Sequence, residues 1–123
     1  MGVEVRVRHR IWIEVGGQSV IGPGGYDILA AIDRTGSISR AARELGMSYR
    51  FVWNYIDKME RRLGVSVVRG WRGGSRRGGA QLTPAGRRLL EIYGRILDDV
   101  NKLTPAWEEE VRGLLEEGGA GRG

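Results

Sequence analysis

Residues 36–86 of this 123-residue chain read GSISRAARELGMSYRFVWNYIDKMERRLGVSVVRGWRGGSRRGGAQLTPAG. In order, the stretch predicts a short helix, a tight turn, a longer helix, a strand, an arginine–glycine loop, a second strand and a helix start. Half of the loop residues 70–79, GWRGGSRRGG, are glycine, so no regular element is expected there.

Capping residues mark the ends of the two helices. Ser37 or Ser39 is placed to cap the short helix, which runs to about Leu45. Ser48 is placed to cap the longer helix, which runs to Leu63. A helix pair followed by two strands around a loop predicts a winged helix-turn-helix, an α+β, mostly α fold whose second helix enters the DNA major groove.

The spacing of apolar residues on the longer helix separates a core face from an outward face. Val52, Ile56 and Met59 share one stripe, while Arg50 and Asn54 lie roughly opposite. Arginine pairs bidentately with guanine and asparagine with adenine, although the same residues also suit a solvated face. The candidate DNA-binding residues lie at helix ends, on the outward face and in the loop. They are Ser37, Ser39, Arg40, Ser48, Tyr49, Arg50, Phe51, Trp53, Asn54, Arg72, Arg76, Arg77 and Thr83.

Each of the other candidates has a structural alternative. The hydroxyl residues can donate to phosphate at a helix N-terminus, and they can also be simple caps. The arginines of the loop 70–79, which is the wing of the predicted fold, can enter a narrow minor groove, or the loop can be a plain surface loop. Trp53 and Tyr49 can stack on bases, but the sequence favours structural support of the recognition helix for both.

The N-terminal residues predict a β-hairpin. Residues 3–15 alternate apolar and polar side chains, which favours a half-buried strand, and Ser19–Ile21 can pair back after Gly16-Gly17. Residues 22–25, GPGG, are expected to break the pattern before a helix over Tyr26–Thr35.

The wing strands and the C-terminal helices complete the expected organisation. The strands are predicted at Val65–Val68 and Gln81-Leu82. Thr83 caps a helix that begins with Pro84, and this helix is expected to end near Leu103. A further helix is expected from Thr104-Pro105, with a frayed tail at the end. The predicted domains are a hairpin (1–22), a core (23–83) with its wing (70–79), C-terminal helices (84–117) and a tail (118–123).

An apolar seam on the C-terminal helices favours a homodimer, because helix-turn-helix proteins usually read two half-sites. The alternative is that the seam is only intramolecular core. The candidate dimer-interface residues are Trp12, Leu89, Tyr93, Ile96, Val100, Leu103 and Trp107.

Composition narrows the function classes. The chain has a net charge of +5, no cysteine and one histidine, so a thiolate or histidine-cluster metal site within one chain is excluded and no cofactor is expected. Residues 65–90 hold no acid but many arginines, which suits a polyanionic partner. No apolar run approaches the roughly 20 residues of a membrane span, and the N-terminal residues lack the apolar core typical of a signal peptide, so a cytoplasmic location is expected. No constellation typical of an enzyme is evident.

The stretch 36–86 resembles the DNA-binding half of ModE-type, molybdate-responsive transcription regulators and, more distantly, LysR-type regulators. The pieces that carry the resemblance are Gly36-Ser37-Ile38-Ser39, Ala42, Gly46, Ser48-Tyr49, Trp53, Ile56, Met59, Gly64, Gly73-Gly74, Gly78-Gly79-Ala80 and Leu82-Thr83. Two features depart from that pattern. In the wing, Ser75 takes the place of the family's lysine, and Arg76-Arg77 replace central glycines and make the wing more basic. Phe51 stands where the family tends to have a small or polar residue. Since the residues after Leu103 do not suit the family's oxyanion-binding barrel, molybdate sensing is not expected, although a separate effector-binding chain could be a partner.

The sequence therefore predicts a homodimeric, sequence-specific regulator of transcription that binds double-stranded DNA. Its alternatives are an architectural, nucleoid-type DNA-binding protein and a winged helix used for protein interaction.

Overall fold

The computed structural model describes residues 2–71 and 79–121, with side chains described as far as residue 118. The elements, in chain order, are β1 (Ile13–Val15), β2 (Gln18–Ile21), α1 (Pro23–Thr35), α2 (Ile38–Leu45), α3 (Tyr49–Leu63), β3 (Val68–Arg69), β4 (Gln81–Leu82) and α4 (Pro84–Gly121). The predicted α+β, mostly α class with a winged helix-turn-helix is confirmed.

The chain forms two compact units. The larger unit comprises Arg10–Gly94 and therefore holds β1 to β4, α1 to α3 and the first part of α4. The smaller unit comprises Met1–His9 together with Arg95–Gly123. No helix in the described residues is both long and apolar enough to cross a membrane.

The N-terminal hairpin is present but shorter than predicted. Strand β1 pairs antiparallel with β2, with Ile13 opposite Ile21 and Val15 opposite Gln18. The prediction of a strand is wrong for residues 3–12, which lie in no strand. Strand β2 is four residues long and offers no partner that far along the chain. In the smaller unit, the backbone N–H of Val7 donates instead to the carboxylate of Glu108, at 2.9 Å.

Strand β2 ends at Ile21, so the predicted break of the strand pattern at residues 22–25 is confirmed, but helix α1 begins at Pro23 and the predicted helix start at Tyr26 is wrong. Proline suits the first helical position because its missing N–H would have had no intrahelical partner. Gly25 is buried, and a Cβ there would lie 2.7 Å from the ring of Tyr55 and 3.0 Å from Ile21. Gly25 therefore lies inside α1 and allows this helix to approach Tyr55 and Ile21 closely.

The predicted boundaries of α2 and α3 are confirmed. The Oγ of Ser37 accepts from the N–H of Arg40 at 3.2 Å, and the Oγ of Ser48 accepts from the N–H of Phe51 at 3.0 Å. The inward faces of α1 and α3 are fully buried and form the centre of the core, through Ile28, Leu29, Ile32, Val52, Ile56 and Met59. The opposite face of α3 is thereby left to solvent.

The first wing strand begins at Val68, three residues later than predicted. Strand β3 pairs with β4 through Val68 opposite Leu82, so the prediction of a strand is wrong for residues 65–67. One carboxylate oxygen of Glu60 accepts from the N–H groups of Val67 (2.8 Å) and Val68 (3.1 Å) and from the hydroxyl of Ser66 (3.1 Å). Glu60 of α3, together with Thr83, therefore binds this segment.

Helix α4 is one continuous helix, so the predicted break at Thr104-Pro105 is wrong. Proline at 105 removes the N–H that would donate to the carbonyl of Asn101, and the hydroxyl of Thr104 donates to that carbonyl at 3.5 Å. The frayed tail is also wrong for residues 118–121, which are helical, while residues 122–123 lie outside the described residues.

Tyr93 attaches the first part of α4 to the larger unit. Its side chain is 1% exposed, its ring centroid lies 5.1 Å from that of Tyr26, and its hydroxyl donates to the carbonyl of Ile11 at 2.5 Å. Burial raises the pKa of the Tyr93 phenol above its ordinary value. The proposed dimer interface therefore does not include Tyr93, because its side chain is already covered within the chain.

Candidate nucleic-acid interface

The N-terminal half of α3 presents an exposed polar and aromatic face. Ser48, Tyr49, Arg50, Phe51 and Asn54 are all exposed, with Phe51 52% exposed. Arg50 and Asn54 lie one helical turn apart on the face opposite the core. Neither side chain has a hydrogen-bond or ion-pair partner within the described part of the chain. The two groups that suit base edges are therefore both accessible and unengaged.

The four candidate hydroxyl residues differ in what they can still donate. Ser37 and Ser48 only accept as helix caps, so their hydroxyl protons remain available to a phosphate oxygen. Ser39 is exposed on the first turn of α2. Thr83 accepts from the N–H of Gly86 at 3.0 Å and donates its proton to the carbonyl of Ser66 at 2.6 Å. Its hydroxyl thus joins α4 to the segment before β3, and a phosphate contact would require that bond to break.

The two ends of the wing are fixed to the helix-turn-helix. Trp71 is 7% exposed and packs edge-on against Trp53 of α3, with ring centroids 4.9 Å apart. On the return side, the N–H of Ala80 donates to the carbonyl of Gly36 at 2.9 Å. The contact gives Trp53 the structural role that the sequence analysis favoured for it. Sequence reasoning missed Trp71, whose signal was an indole inside a glycine-rich segment.

The wing arginines Arg72, Arg76 and Arg77 lie outside the described residues. Their assignment to DNA binding therefore stays a prediction. Arg40, the remaining candidate, is exposed on α2.

Sequence reasoning also missed the basic residues further along α3. Lys58 lies one turn beyond Asn54 and is exposed, and Arg62 follows one turn later. Arg61 is on the same helix but pairs with Asp57 at 3.1 Å. The spacing of four residues from Arg50 through Asn54 to Lys58 was the signal in the sequence.

The candidate dimer residues differ in how far they are exposed. Trp12 is half exposed, and its indole N–H donates to Glu14 at 3.1 Å. In the smaller unit, Leu103 and Trp107 of α4 are each 63% exposed. Leu89, Ile96 and Val100 are half-buried. No group of three or more His, Asp or Glu side chains suited to a metal ion occurs in the residues that the structure describes.

The chain is similar to known regulators over its helix-turn-helix. The family described as "Bacterial regulatory helix-turn-helix protein, lysR family" matches residues 26–87, just over half of the chain. The molybdenum-pterin-binding protein MopB of Rhodobacter capsulatus is 48% identical over 84 residues, covering 68% of this chain and 31% of MopB. The DNA-binding transcriptional dual regulator ModE of Escherichia coli (strain K12) is 37% identical over 71 residues, covering 58% of this chain and 27% of ModE.

A solved structure shares the same arrangement of elements. The crystal structure of the CbnR_DBD–DNA complex superposes with a TM-score of 0.51 at 26% identity, covering 63% of this chain and 83% of that chain. The chain spans less than a third of the length of the two curated relatives. The resemblance to ModE-type and LysR-type DNA-binding domains is thus confirmed, and the chain belongs to the lysR family of bacterial regulatory helix-turn-helix proteins.

Proposed function

We propose that the chain is a sequence-specific regulator of transcription that binds double-stranded DNA with α3 in the major groove. The observation that carries the proposal is the pair Arg50 and Asn54, exposed and unengaged on the outward face of a capped helix. Base-reading helices of this fold place their N-terminal residues against base edges. The family match, a relative named as a DNA-binding transcriptional regulator and a similar chain solved with DNA support it.

The proposal assigns parts of the chain to separate tasks. Residues 23–83 form the DNA-binding core, and the wing at 70–79 lies along the adjacent backbone or minor groove. Residues 84–117 set the distance between two copies. A cytoplasmic location and the absence of an enzymatic activity belong to the same proposal. A separate effector-binding chain as a partner is also part of it.

Selection of binders from a random duplex library tests the proposal directly. We expect an enriched inverted repeat whose half-site centres lie about one helical turn, roughly 10 bp, apart. Tight, salt-sensitive binding without an enriched motif would instead favour an architectural protein, an alternative suited by the acid-free segment 65–90. Failure to bind any duplex at low salt would favour a protein-interaction module.

Replacing Arg50 by alanine should relax the selected motif at one base pair. The expected loss is about 1–3 kcal/mol of discrimination at that position, because a bidentate arginine–guanine pair would be removed. The check is to repeat the selection with the variant and to measure the affinity of both proteins for the parent motif and for the motif with that base pair changed. Arg61→Ala is the matched control, since it removes the same charge from an exposed site on the same helix where Arg61 already pairs with Asp57. A motif that Arg50→Ala leaves unchanged would contradict the assignment of α3.

The exposed apolar stripe of α4 supports the homodimer part of the proposal. Leu103, Trp107, Val111 and Leu114 recur at spacings of four and three, and all four side chains are exposed. An apolar helical stripe of this kind is buried when a second helix packs against it. We therefore place the dimer contact on this part of α4.

Leu103→Glu should raise the dimer dissociation constant about tenfold or more, because it places a carboxylate in the centre of an apolar contact. Sedimentation equilibrium measures the change. Lys102→Glu is the control, since it introduces the same side chain one position away, off the stripe. If both variants dimerise like the parent chain, the stripe is not the interface.

A further inference from the structure

A groove lies between strand β2 and helix α3, and we call it the β2–α3 groove. Its volume is about 390 Å³, within the range of small-molecule pockets. Val20 and Met59 are buried in its floor, while Phe51 and Tyr55 form an aromatic side. The two rings contact one another with centroids 6.2 Å apart. The groove thus offers a flat ligand both an apolar floor and an aromatic wall.

The charged lining of the groove is entirely cationic. Lys58 and Arg62 line it, and no acidic side chain lies among the described residues that form it. Nη1 of Arg62 donates to the carbonyl of Ser19 at 2.5 Å, which fixes the guanidinium across the mouth between helix and strand. The ammonium group of Lys58 has no partner within the described residues. One cation is therefore held in place and the other is free to bind an anion.

A second hollow continues the same positive surface. It is lined by Gln18, Lys58, Arg61 and Arg62, and so shares both cations of the groove. Arg61 forms an ion pair with Asp57, whereas Lys58 forms no ion pair with any of the described residues. The anion-attracting centre therefore lies at Lys58 and Arg62.

Strand β2 supplies one wall of the groove and lies before residues 26–87, the span that matches the lysR family. The groove thus depends on residues outside the span that the family model matches. Its other wall includes Phe51 and Asn54, two of the candidate DNA contacts. An occupant of the groove would meet the same two side chains that the DNA would.

We propose that the β2–α3 groove binds a small aromatic anion, in which a carboxylate or phosphate is joined to one ring. The ring lies on the floor of Val20 and Met59 beside Phe51 and Tyr55, and the anionic group lies between Lys58 and Arg62. The ligand competes with DNA for Phe51 and Asn54, and this second step rests on the proposed function. Binding of the ligand to the DNA-binding unit itself then controls how tightly the protein binds DNA.

Titration of the whole chain without DNA tests the site, with backbone amide shifts as the readout. The probes are phenyl phosphate and benzoate, compared with inorganic phosphate and benzyl alcohol, which each carry only half of the proposed ligand. We expect saturable shifts at Val20, Asn54 and Lys58, and binding of at least one aromatic anion about tenfold tighter than of either half. Equal binding of inorganic phosphate, or no saturable shifts with either aromatic anion, would overturn the site.

Lys58→Gln should weaken that binding about tenfold, since it removes the free cation and keeps an unbranched polar side chain, one atom shorter. Lys102→Gln is the matched control because Lys102 is the only other lysine and does not line the groove. Unchanged affinity in Lys58→Gln would overturn the role of the cation pair.

A competition experiment tests the second step separately. Saturating ligand should raise the dissociation constant for the selected duplex about tenfold, and Lys58→Gln should need more ligand for the same effect. Ligand binding that leaves DNA affinity unchanged would overturn the competition but keep the site. If no duplex binds even without ligand, the proposed function and the competition fail together, while the titration still decides the site.

Discussion

Gly86→Ala should lower the free energy of unfolding by about 3 kcal/mol, at the upper end of what overpacking usually costs. A Cβ at this position in α4 would lie 2.1 Å from the carbonyl oxygen of Val67 and 3.0 Å from its carbonyl carbon. Both neighbours are backbone atoms, so no side chain can rotate away. The same Val67 oxygen accepts from the N–H of Thr83 at 3.0 Å, and any shift would strain the cap of α4.

Urea unfolding followed by circular dichroism measures this effect. Gly113→Ala is the control on the same helix, because a Cβ there would meet nothing within 4 Å. We expect that control to be neutral or stabilising by up to about 1 kcal/mol, from the better helix propensity of alanine. Equal midpoints for the two variants would show that α4 and the segment before β3 are not packed as described.

Glu60→Leu should cost about 3 kcal/mol, because it leaves the N–H groups of Val67 and Val68 without an acceptor in a buried place. Glu60 is itself only 9% exposed, so water cannot readily replace the carboxylate. Leucine has a similar volume, which keeps the loss of packing small. The expected result is a chain whose first wing strand is loosened from α3.

Hydrogen exchange distinguishes this local effect from general destabilisation. The amides of Val67 and Val68 should exchange much faster in Glu60→Leu than in the parent chain, and faster than core amides of α1. Glu60→Gln keeps one carbonyl-type oxygen and should lose only about 1 kcal/mol. Unaltered protection of these two amides in Glu60→Leu would refute the role assigned to the carboxylate.

The elements that sequence could predict are those whose signals are local. The caps Ser37 and Ser48 lie within three residues of the N–H groups they bind, so the bounds of α2 and α3 could be read from a short window. The exposed face with Arg50 and Asn54 follows from helical periodicity in the same way. The main candidate base contacts, Arg50 and Asn54, could therefore be predicted from the sequence.

The elements that sequence misjudged depend on distant partners. Strand β3 is displaced because Glu60 binds the segment before it, and no periodicity signals that bond. Alternation over residues 3–12 looked like a strand, but β2 is too short to pair with it. The β2–α3 groove needs the hairpin and α3 to be brought together before Lys58 and Arg62 can line one surface.

The two anchored ends of the wing set a limit on its reach. Trp71 is held against α3, Ala80 is bonded to Gly36, and Arg69 pairs with Gln81 at the base of the wing, just outside these two residues. From Trp71 to Gly79 the chain has eight Cα–Cα steps, a contour of about 28 Å, so the midpoint of the loop extends at most about 14 Å from its ends. The DNA contacts proposed for the wing are therefore limited to the stretch of duplex beside α3, and under that proposal the two anchors set the length of DNA that one copy covers.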